Sequence, residues 1–178
     1  MAIDNEIFNF ITITLKNGFF DQIMPVLSDA KFWRLPFLAI IICFTVFGKK
    51  KGLKTLLLCL LAVSLSDFVC GNILQPLINR PRPLGGVTPS FPSCHASNLF
   101  AAATVIYYVW RKFWVAIVVF SIALLVGYSR VYTTSHYPSD VFFGMIFGVA
   151  YAFFVIYLYN LVSKKIQEKK ERREKDQT

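Results

Sequence analysis

Apolar stretches alternate with short polar segments along most of the chain. Five such stretches are found, at residues 32–47, 53–74, 96–110, 113–128 and 141–162. A helix needs about 20 apolar residues to cross roughly 30 Å of hydrocarbon, and the second and fifth stretches are long enough as they stand. The other three reach that length only with flanking residues or in a locally thinner bilayer. The pattern therefore predicts an all-α integral membrane bundle with five transmembrane helices.

The two ends of the chain have a different pattern. Residues 3–27 mix apolar side chains with acidic and basic ones, which predicts an N-terminal amphipathic helix that lies in the membrane interface. Residues 163–178 alternate Lys and Arg with Glu and predict a solvated, basic extension of the last helix. We therefore expect one membrane domain over residues 1–162, followed by a basic helical tail on the cytoplasmic side.

The composition supports a membrane protein and argues against a nucleic-acid partner. The sequence is 56% hydrophobic and 16% charged, with a mean hydropathy of +0.54, so a soluble domain of 178 residues could not cover its apolar surface. The net charge of +9 is concentrated, because 13 of the 19 basic residues lie in residues 49–54, in Arg111-Lys112 and in the tail. By the positive-inside rule these three clusters are cytoplasmic, which places the N-terminus and the loops 75–95 and 129–140 outside.

The two outer loops contain the residues that could carry out chemistry. The only two histidines of the sequence, His95 and His136, lie one in each loop, together with Arg80, Arg82 and Arg130. Arginine forms forked hydrogen bonds with phosphate and keeps its charge at every physiological pH. Phosphoryl transfer requires such positive groups, an in-line nucleophile and an acid for the leaving oxygen. The two loops therefore predict a phosphate site.

The spacing of residues in the two loops indicates which of them could form part of such a site. Ser93 precedes the third apolar stretch, so its hydroxyl and the amides of Cys94 and His95 could bind an anion at a helix N-terminus. If the fifth helix begins near His136, Asp140 follows four residues later on the same helical face and could orient the imidazole. Because an imidazole usually titrates near neutral pH, His95 is then available as the general acid.

The loops resemble the three motifs of the type 2 phosphatidic acid phosphatase superfamily, which shares its fold with vanadium haloperoxidases. The third motif (Ser-Arg, five residues, His, three residues, Asp) is matched throughout. The second (Pro-Ser-Gly-His) has cysteine in the glycine place, and the first (Lys, six residues, Arg-Pro) has glutamine in the lysine place. The matching residues are Gln75, Arg82 and Pro83, then Pro92, Ser93, Cys94 and His95, then Ser129, Arg130, His136 and Asp140.

The resemblance implies a phosphatase that needs no metal and no cofactor. It implies that His136 attacks phosphorus and that Asp140 is its partner, while His95 protonates the leaving oxygen and then activates water. The residues that it implies for phosphate binding are Arg82, Arg130, Ser93, the backbone of Cys94, Gln75, and Arg80, which could supply the charge that Gln75 lacks.

The implied substrate is a lipid-linked phosphate at the outer face of a bacterial inner membrane. The candidate substrates that the resemblance implies are undecaprenyl pyrophosphate, lipid A 1-phosphate and phosphatidylglycerophosphate. No residue of this sequence selects among them. The bilayer is the other expected partner, and the sequence does not indicate an oligomeric state.

Three alternatives accompany this hypothesis. A phosphotransferase that passes the phosphoryl group to a second lipid would have the same motifs. A catalytically weakened lipid-phosphate-binding protein is suggested by Gln75 and Cys94. Haloperoxidase chemistry is disfavoured, because the relatives that perform it are soluble and larger.

Overall fold

The computed structural model describes residues 2–176, and the regular elements in that range are helices. Two π-helical segments extend the α-helices: Phe10–Thr14 continues the first, and Val69–Leu74 joins the fourth and fifth into one helix of 30 residues. In chain order the α-helices are α1 (Ala2–Asn9), α2 (Gly18–Ser28), α3 (Arg34–Val46), α4 (Lys49–Phe68), α5 (Gln75–Ile78), α6 (Cys94–Trp110), α7 (Phe113–Tyr132) and α8 (Pro138–Lys175).

Three helices are long and apolar enough to cross a membrane, judged by length and composition. They are Lys49–Ile78, α7 and α8. α3 is apolar but has 13 residues, and α6 has 17. The described chain is therefore helical, as predicted, whereas the number of five spans stays a prediction. α6 packs against α4, α7 and α8 and forms the centre of the bundle.

Close packing brings α8 against the beginning of α6. A β-carbon on Gly144 would lie 2.6 Å from the Ser93 carbonyl oxygen, and one on Gly148 would overlap the Ser97 carbonyl oxygen. Small residues are a usual means by which membrane helices approach each other closely. On another side of α6, Ser66 Oγ of α4 lies 2.7 Å from Ser97 Oγ. The start of α6 is therefore held between α4 and α8.

The N-terminal region forms two helices, whereas the sequence pattern predicts a single interfacial helix over residues 3–27. The chain breaks after the π-helical segment, and Asn17 Oδ1 accepts a hydrogen bond of 3.0 Å from the Phe20 amide at the start of α2. An asparagine N-cap satisfies one of the free amides of a new helix, which favours starting that helix over continuing the old one. α1 contacts α8 and α2 contacts α7, so both pieces pack onto the bundle.

The second outer loop is much shorter than predicted. α7 continues through Tyr132, beyond the predicted end at residue 128, and α8 begins at Pro138. A helix continues while its backbone hydrogen bonds are made, whether or not its side chains are apolar, and proline suits the first position of a helix. Only residues 133–137 connect the two helices. α8 then runs to Lys175, and residues 177–178 of the predicted tail lie outside the described residues.

The helix that contains the second apolar stretch is also longer than its predicted span of residues 53–74. It begins at Lys49, runs through Pro76 and ends at Ile78. Pro76 lies directly after the π-helical segment and has no N–H to donate, so the helix lacks one backbone hydrogen bond close to the point where it changes from π to α. Asn79 ends the helix with a φ of +47° and turns the chain into the first outer loop.

Candidate active site

The two predicted loops meet at the N-terminal ends of α6 and α8 and the C-terminal end of α7. The amides of Ser135 and His136 both donate to the carbonyl oxygen of Arg130, at 3.0 and 3.1 Å. The amide of Ser93 donates to the carbonyl oxygen of Asp140 at 3.0 Å. Backbone hydrogen bonds therefore fix the loops to each other and to the helix ends that carry the motif residues.

His136 is oriented by a backbone carbonyl group. Its side chain is buried, with 1% of the residue exposed, and Nδ1 lies 2.8 Å from the carbonyl oxygen of Ser90. Because a carbonyl oxygen can only accept, Nδ1 carries the proton in this contact, and Nε2 of a neutral ring is left with its lone pair. Nδ1 also lies 3.8 Å from Asp140 Oδ2, beyond hydrogen-bond distance.

Asp140 is placed differently from the helical stacking that its spacing suggests. α8 begins two residues after His136, so the two residues do not share a helical face; Asp140 lies in the first turn of α8. Its carboxylate is fully buried, and Oδ2 accepts the amide of Tyr137 at 2.9 Å. Oδ1 accepts Arg80 at 2.7 Å. A buried carboxylate requires such pairing, and the pairing keeps a negative charge near the His136 ring.

Arg80 lies between two carboxylates. Its guanidinium donates to Asp4 at 2.6 Å and to Asp140 and the Ser139 hydroxyl at 2.7 Å each, and it lies over the ring of Tyr137 at 4.1 Å. Burial acts to raise the pKa of Asp4, but hydrogen bonds from Arg80 and Ser139 lower that pKa below its usual value. The structure thus gives Arg80 partners other than the phosphate that the resemblance implies. It joins α1 to the start of α8.

The other two arginines are each held by neighbouring protein groups. Arg82 donates through Nε to the carbonyl oxygen of Thr88 at 2.9 Å and through a terminal nitrogen to that of Ser135 at 3.1 Å. Arg130, in the last turn of α7, donates to the hydroxyl and carbonyl oxygens of Ser28 at 2.6 and 3.0 Å. The guanidinium of Arg82 therefore donates from all three of its nitrogens to protein groups, because its second terminal nitrogen also contacts the Thr88 hydroxyl at 3.0 Å, whereas Arg130 keeps Nε unpaired among the described residues.

Three buried side-chain atoms in the described part of the chain lack a hydrogen-bond partner. They are Ser93 Oγ, Arg130 Nε and Asn98 Oδ1. Buried polar atoms are nearly always paired in native proteins, so each of these needs an explanation. A phosphate oxygen would accept from the Ser93 hydroxyl and from the Arg130 N–H, and both residues belong to the matched motifs.

Burial and neighbouring positive charges lower the pKa values of the two histidines in the free protein. Burial lowers the pKa of His136, and the positive charges of Arg130 and Arg82 lower it further, while Asp140 opposes them. His95 lies in the first turn of α6, ahead of the predicted span 96–110. Burial, followed by the charges of Arg130, His136 and Arg82, lowers its pKa to about 4. A bound phosphate would bring negative charge and raise both pKa values.

The two departures from the motifs lie in contact with each other. Gln75 is buried and donates through Nε2 to the carbonyl oxygen of Pro92 at 3.1 Å and to Cys94 Sγ at 3.2 Å. Cys94 is the first residue of α6 and does not have a positive φ, so its β-carbon is accommodated without backbone strain. Gln75 therefore holds the turn that presents Ser93.

Several residues that position the site were not predicted from the sequence, among them Ser90, Asp4 and Ser28. Ser90 acts through its backbone carbonyl, which no side-chain pattern reveals. Asp4 counted only as one polar residue of an amphipathic segment, and Ser28 precedes the first apolar stretch without any motif. The one signal available in the sequence was the acidic residue Asp4 itself, because a partly buried arginine such as Arg80 is stabilised by a carboxylate partner.

The fold and the comparisons with known proteins together support a membrane phosphatase. The sequence model described as "PAP2 superfamily" matches residues 55–164, and the chain belongs to that superfamily.

Individual relatives agree with this assignment. The chain is 29% identical to a lipid A 4'-phosphatase of Bacteroides thetaiotaomicron over 164 residues, which cover 82% of this chain and 72% of the relative. It is 35% identical to a lipid A 1-phosphatase of Porphyromonas gingivalis over 72 residues, 39% of this chain and 16% of the relative.

Solved structures show the same fold. The chain is similar to a transmembrane PAP2-type phosphatidylglycerolphosphate phosphatase of Bacillus subtilis, with a TM-score of 0.72, 25% identity, and coverage of 90% of this chain and 86% of that one. For LpxE of Aquifex aeolicus the TM-score is 0.67 at 24% identity, with coverage of 88% and 96%. The protein is therefore an integral membrane lipid phosphatase.

Proposed function

We propose that this protein hydrolyses a lipid-linked phosphate through a phosphohistidine on His136. The observation that carries the proposal is the contact between His136 Nδ1 and the Ser90 carbonyl oxygen at 2.8 Å. That contact leaves Nε2 with a lone pair. Ser93 Oγ and Arg130 Nε, two buried donors without partners in the described residues, belong to the same site and would bind the phosphate that Nε2 attacks.

The reaction would proceed in two transfers. First, the Nε2 lone pair of His136 forms a bond to phosphorus while the ester or anhydride bond to the lipid oxygen breaks. His95, protonated once phosphate is bound, gives its proton to that leaving oxygen. Second, His95 removes a proton from water, whose oxygen displaces His136 and releases inorganic phosphate. The carboxylate of Asp140, 3.8 Å from the ring, stabilises the positive charge that His136 carries between the transfers.

The substrate that we place first is a phosphorylated lipid A. The two similar enzymes from Bacteroides thetaiotaomicron and Porphyromonas gingivalis are named for lipid A, one as a 4'-phosphatase and one as a 1-phosphatase. Undecaprenyl pyrophosphate and phosphatidylglycerophosphate are the other candidates. We further propose that the protein resides in a bacterial cytoplasmic membrane with the site on the outer face, and that the reaction needs no metal ion.

The nucleophile is tested by His136→Ala, assayed as phosphate release from lipid in detergent micelles. Release should fall by at least about 10³-fold, as when the nucleophile of a covalent mechanism is removed. Wild-type enzyme quenched during turnover should carry an acid-labile phosphoryl group that the variant lacks. Wild-type turnover by His136→Ala would refute the mechanism.

Two inhibitors and one acceptor test the rest of the proposal. Vanadate, which mimics phosphate in its transition-state geometry, should inhibit, whereas EDTA should leave the rate unchanged. Strong inhibition by EDTA would instead indicate a metal-dependent enzyme. Phosphoryl transfer to a second added lipid, in place of release into water, would favour the phosphotransferase alternative.

A further inference from the structure

Asp4, in the first turn of α1, binds the first turn of α8. Its Oδ1 accepts the amide of Ser139 at 2.9 Å, and its Oδ2 accepts the Ser139 hydroxyl at 2.7 Å. The first amides of a helix have no acceptor within that helix, so a carboxylate from outside satisfies one of them at the positive end of the helix dipole. Asp4 lies outside residues 55–164, which the superfamily model matches, and the three motifs assign it no role.

Arg80 connects Asp4 to the catalytic carboxylate. One terminal nitrogen of its guanidinium donates to Asp4 Oδ2 at 2.6 Å, and the other donates to Asp140 Oδ1 at 2.7 Å. The side chain of Asp140 is fully buried, and those of Asp4 and Arg80 are 14% and 18% exposed. Electrostatic interactions are stronger in such poorly solvated places than in water. The three side chains therefore form one electrostatic unit next to His136.

The charge of this unit depends on Asp4. Two carboxylates and one guanidinium have one net negative charge, whereas Arg80 and Asp140 alone would be neutral together. A guanidinium shared with Asp4 leaves Asp140 more of its negative charge for the His136 ring. In the proposed reaction His136 becomes positive as it bonds to phosphorus. The negative charge is therefore placed in advance where positive charge develops.

Docking of α1 does not itself require this carboxylate. Phe8 packs against the buried cluster that includes Val131 and Val141, and its ring centroid lies 5.4 Å from that of Tyr137. Burial of apolar side chains favours docking without any charge. A carboxylate that is mostly removed from water is costly unless it is paired. Attachment of α1 to the bundle is therefore an incomplete explanation of Asp4.

We infer that Asp4 is a positioning residue for the reaction, which acts through Arg80 and Ser139 to keep the Asp140 carboxylate oriented and negatively charged beside His136. This inference rests on the proposed function, because the charge that Asp4 helps to stabilise is that of His136 between the two transfers. It also gives α1 a part in catalysis.

The test is Asp4→Asn, assayed as phosphate release from lipid in detergent micelles. Asparagine has nearly the same shape and keeps an oxygen for the Ser139 amide, but it has no charge. The kcat should fall by at least about tenfold, because the charged transition state loses stabilisation. The KM should stay within about twofold, because Asp4 does not contact the proposed phosphate site.

The pH profile separates this role from a structural one. Asp4→Asn removes negative charge, so the protonated form of His136 is less favoured and its pKa falls. The decrease of kcat/KM at acidic pH should therefore begin at a lower pH than in the wild type, whereas a merely less well folded variant keeps the wild-type midpoint. The variant leaves in place the charged and titratable groups that act on His136, which are Asp140 on α8, Arg130 on α7, Arg82 and Arg80 on the first outer loop, and His95 on α6.

Two further variants complete the test. Glu6→Gln is the matched control, because it removes the same charge from an exposed position of the same helix and should retain the wild-type kcat and pH profile. Asp4→Glu restores the charge and should recover at least about a third of the wild-type kcat. If Asp4→Asn does not fold, Asp4→Ser takes its place with the same expected results.

A wild-type kcat in Asp4→Asn would overturn the inference, as would a loss of kcat without a shift of the pH profile or a loss equally large in Asp4→Glu. None of these results would affect the phosphohistidine, which His136→Ala tests separately. Wild-type turnover in His136→Ala would instead remove the proposed function and this inference with it.

Discussion

At the scale of single residues, His136 has two neighbours with different roles. The carbonyl oxygen of Ser90 fixes which ring nitrogen carries the proton, because it is within hydrogen-bond distance of Nδ1. Asp140 is farther from the ring and acts through its charge, which favours a positively charged imidazole. Tautomer and charge are thus controlled by separate groups, one on the first outer loop and one on α8.

The lowered pKa of His136 predicts how kcat/KM decreases at acidic pH. The protonated ring has no lone pair on Nε2, so kcat/KM should fall as the pH decreases through this pKa. Burial and the charges of Arg130 and Arg82 lower the pKa, so the decline should begin below the ordinary histidine value of about 6.5. Measurements of kcat/KM between pH 4 and pH 8 provide the check.

A variant tests whether neighbouring positive charge lowers the pKa of His136. Arg82→Gln removes one positive charge and should move the acid limb of the profile to higher pH, in addition to lowering the rate. A wild-type decline that begins above pH 6.5, or no movement in Arg82→Gln, would contradict this account of His136.

The sequence motifs reveal which side chains gather at the site but not what holds them. Ser93, Arg130 and His136 come together because the motifs sit at helix ends that the fold brings to one place. The contacts that orient them join residues far apart in sequence: Ser90 and His136 are 46 residues apart, and Ser28 and Arg130 are 102 apart. Such pairs depend on tertiary packing and on backbone groups, which leave no periodic signal in a single sequence.

At the scale of helices, the pair Gly144 and Gly148 sets the distance between α8 and α6. Gly148→Ala should lower the free energy of unfolding by about 1–3 kcal/mol, because its β-carbon would overlap the carbonyl oxygen of Ser97. Thermal unfolding in detergent measures the effect. Gly71→Ala is the matched control, because a β-carbon there would meet nothing within 4 Å. Equal melting temperatures for the two variants would show that the close approach of Gly148 to Ser97 does not contribute to stability.

Helix ends were the least predictable part of the fold. The apolar pattern of the fourth stretch ends at residue 128, yet α7 continues through Tyr132, because the backbone keeps its helical hydrogen bonds and the Ser129 hydroxyl donates to the Val126 carbonyl oxygen of the same helix. The single amphipathic helix predicted over residues 3–27 is broken by the Asn17 cap, a local signal that apolar periodicity does not register. Apolar periodicity shows which side chains avoid water. The position of a helix end depends instead on the hydrogen-bond partners of its backbone.

At the scale of the whole molecule, basic residues gather at one end of the bundle and the site lies at the other. Lys51 lies over the ring of Trp110 at 4.9 Å, and Lys54 lies over that of Tyr159 at 4.4 Å. The clusters in residues 49–54 and at Arg111 therefore lie beside the C-terminal half of α8. This arrangement agrees with one membrane orientation for all three clusters.

The orientation itself is open to a direct test. A reporter domain fused after Thr178 should be active in the cytoplasm, because the positive-inside rule keeps the basic clusters on that side. A second fusion within residues 133–137, between α7 and α8, should report the outside. A reporter after Thr178 that is active only outside would overturn both the proposed topology and the count of five spans.

The contact of Arg80 with Asp4 also has a consequence for biosynthesis. Asp4 and Ser139 are 135 residues apart, and both bind the guanidinium that holds Asp140. A contact of such long range forms late. The Asp140 carboxylate, which lies on the last helix, therefore binds Arg80 only after α8 has entered the bilayer. A chain truncated before α8 should have no residual turnover, and a nascent chain should leave the surrounding lipids untouched until its insertion is complete.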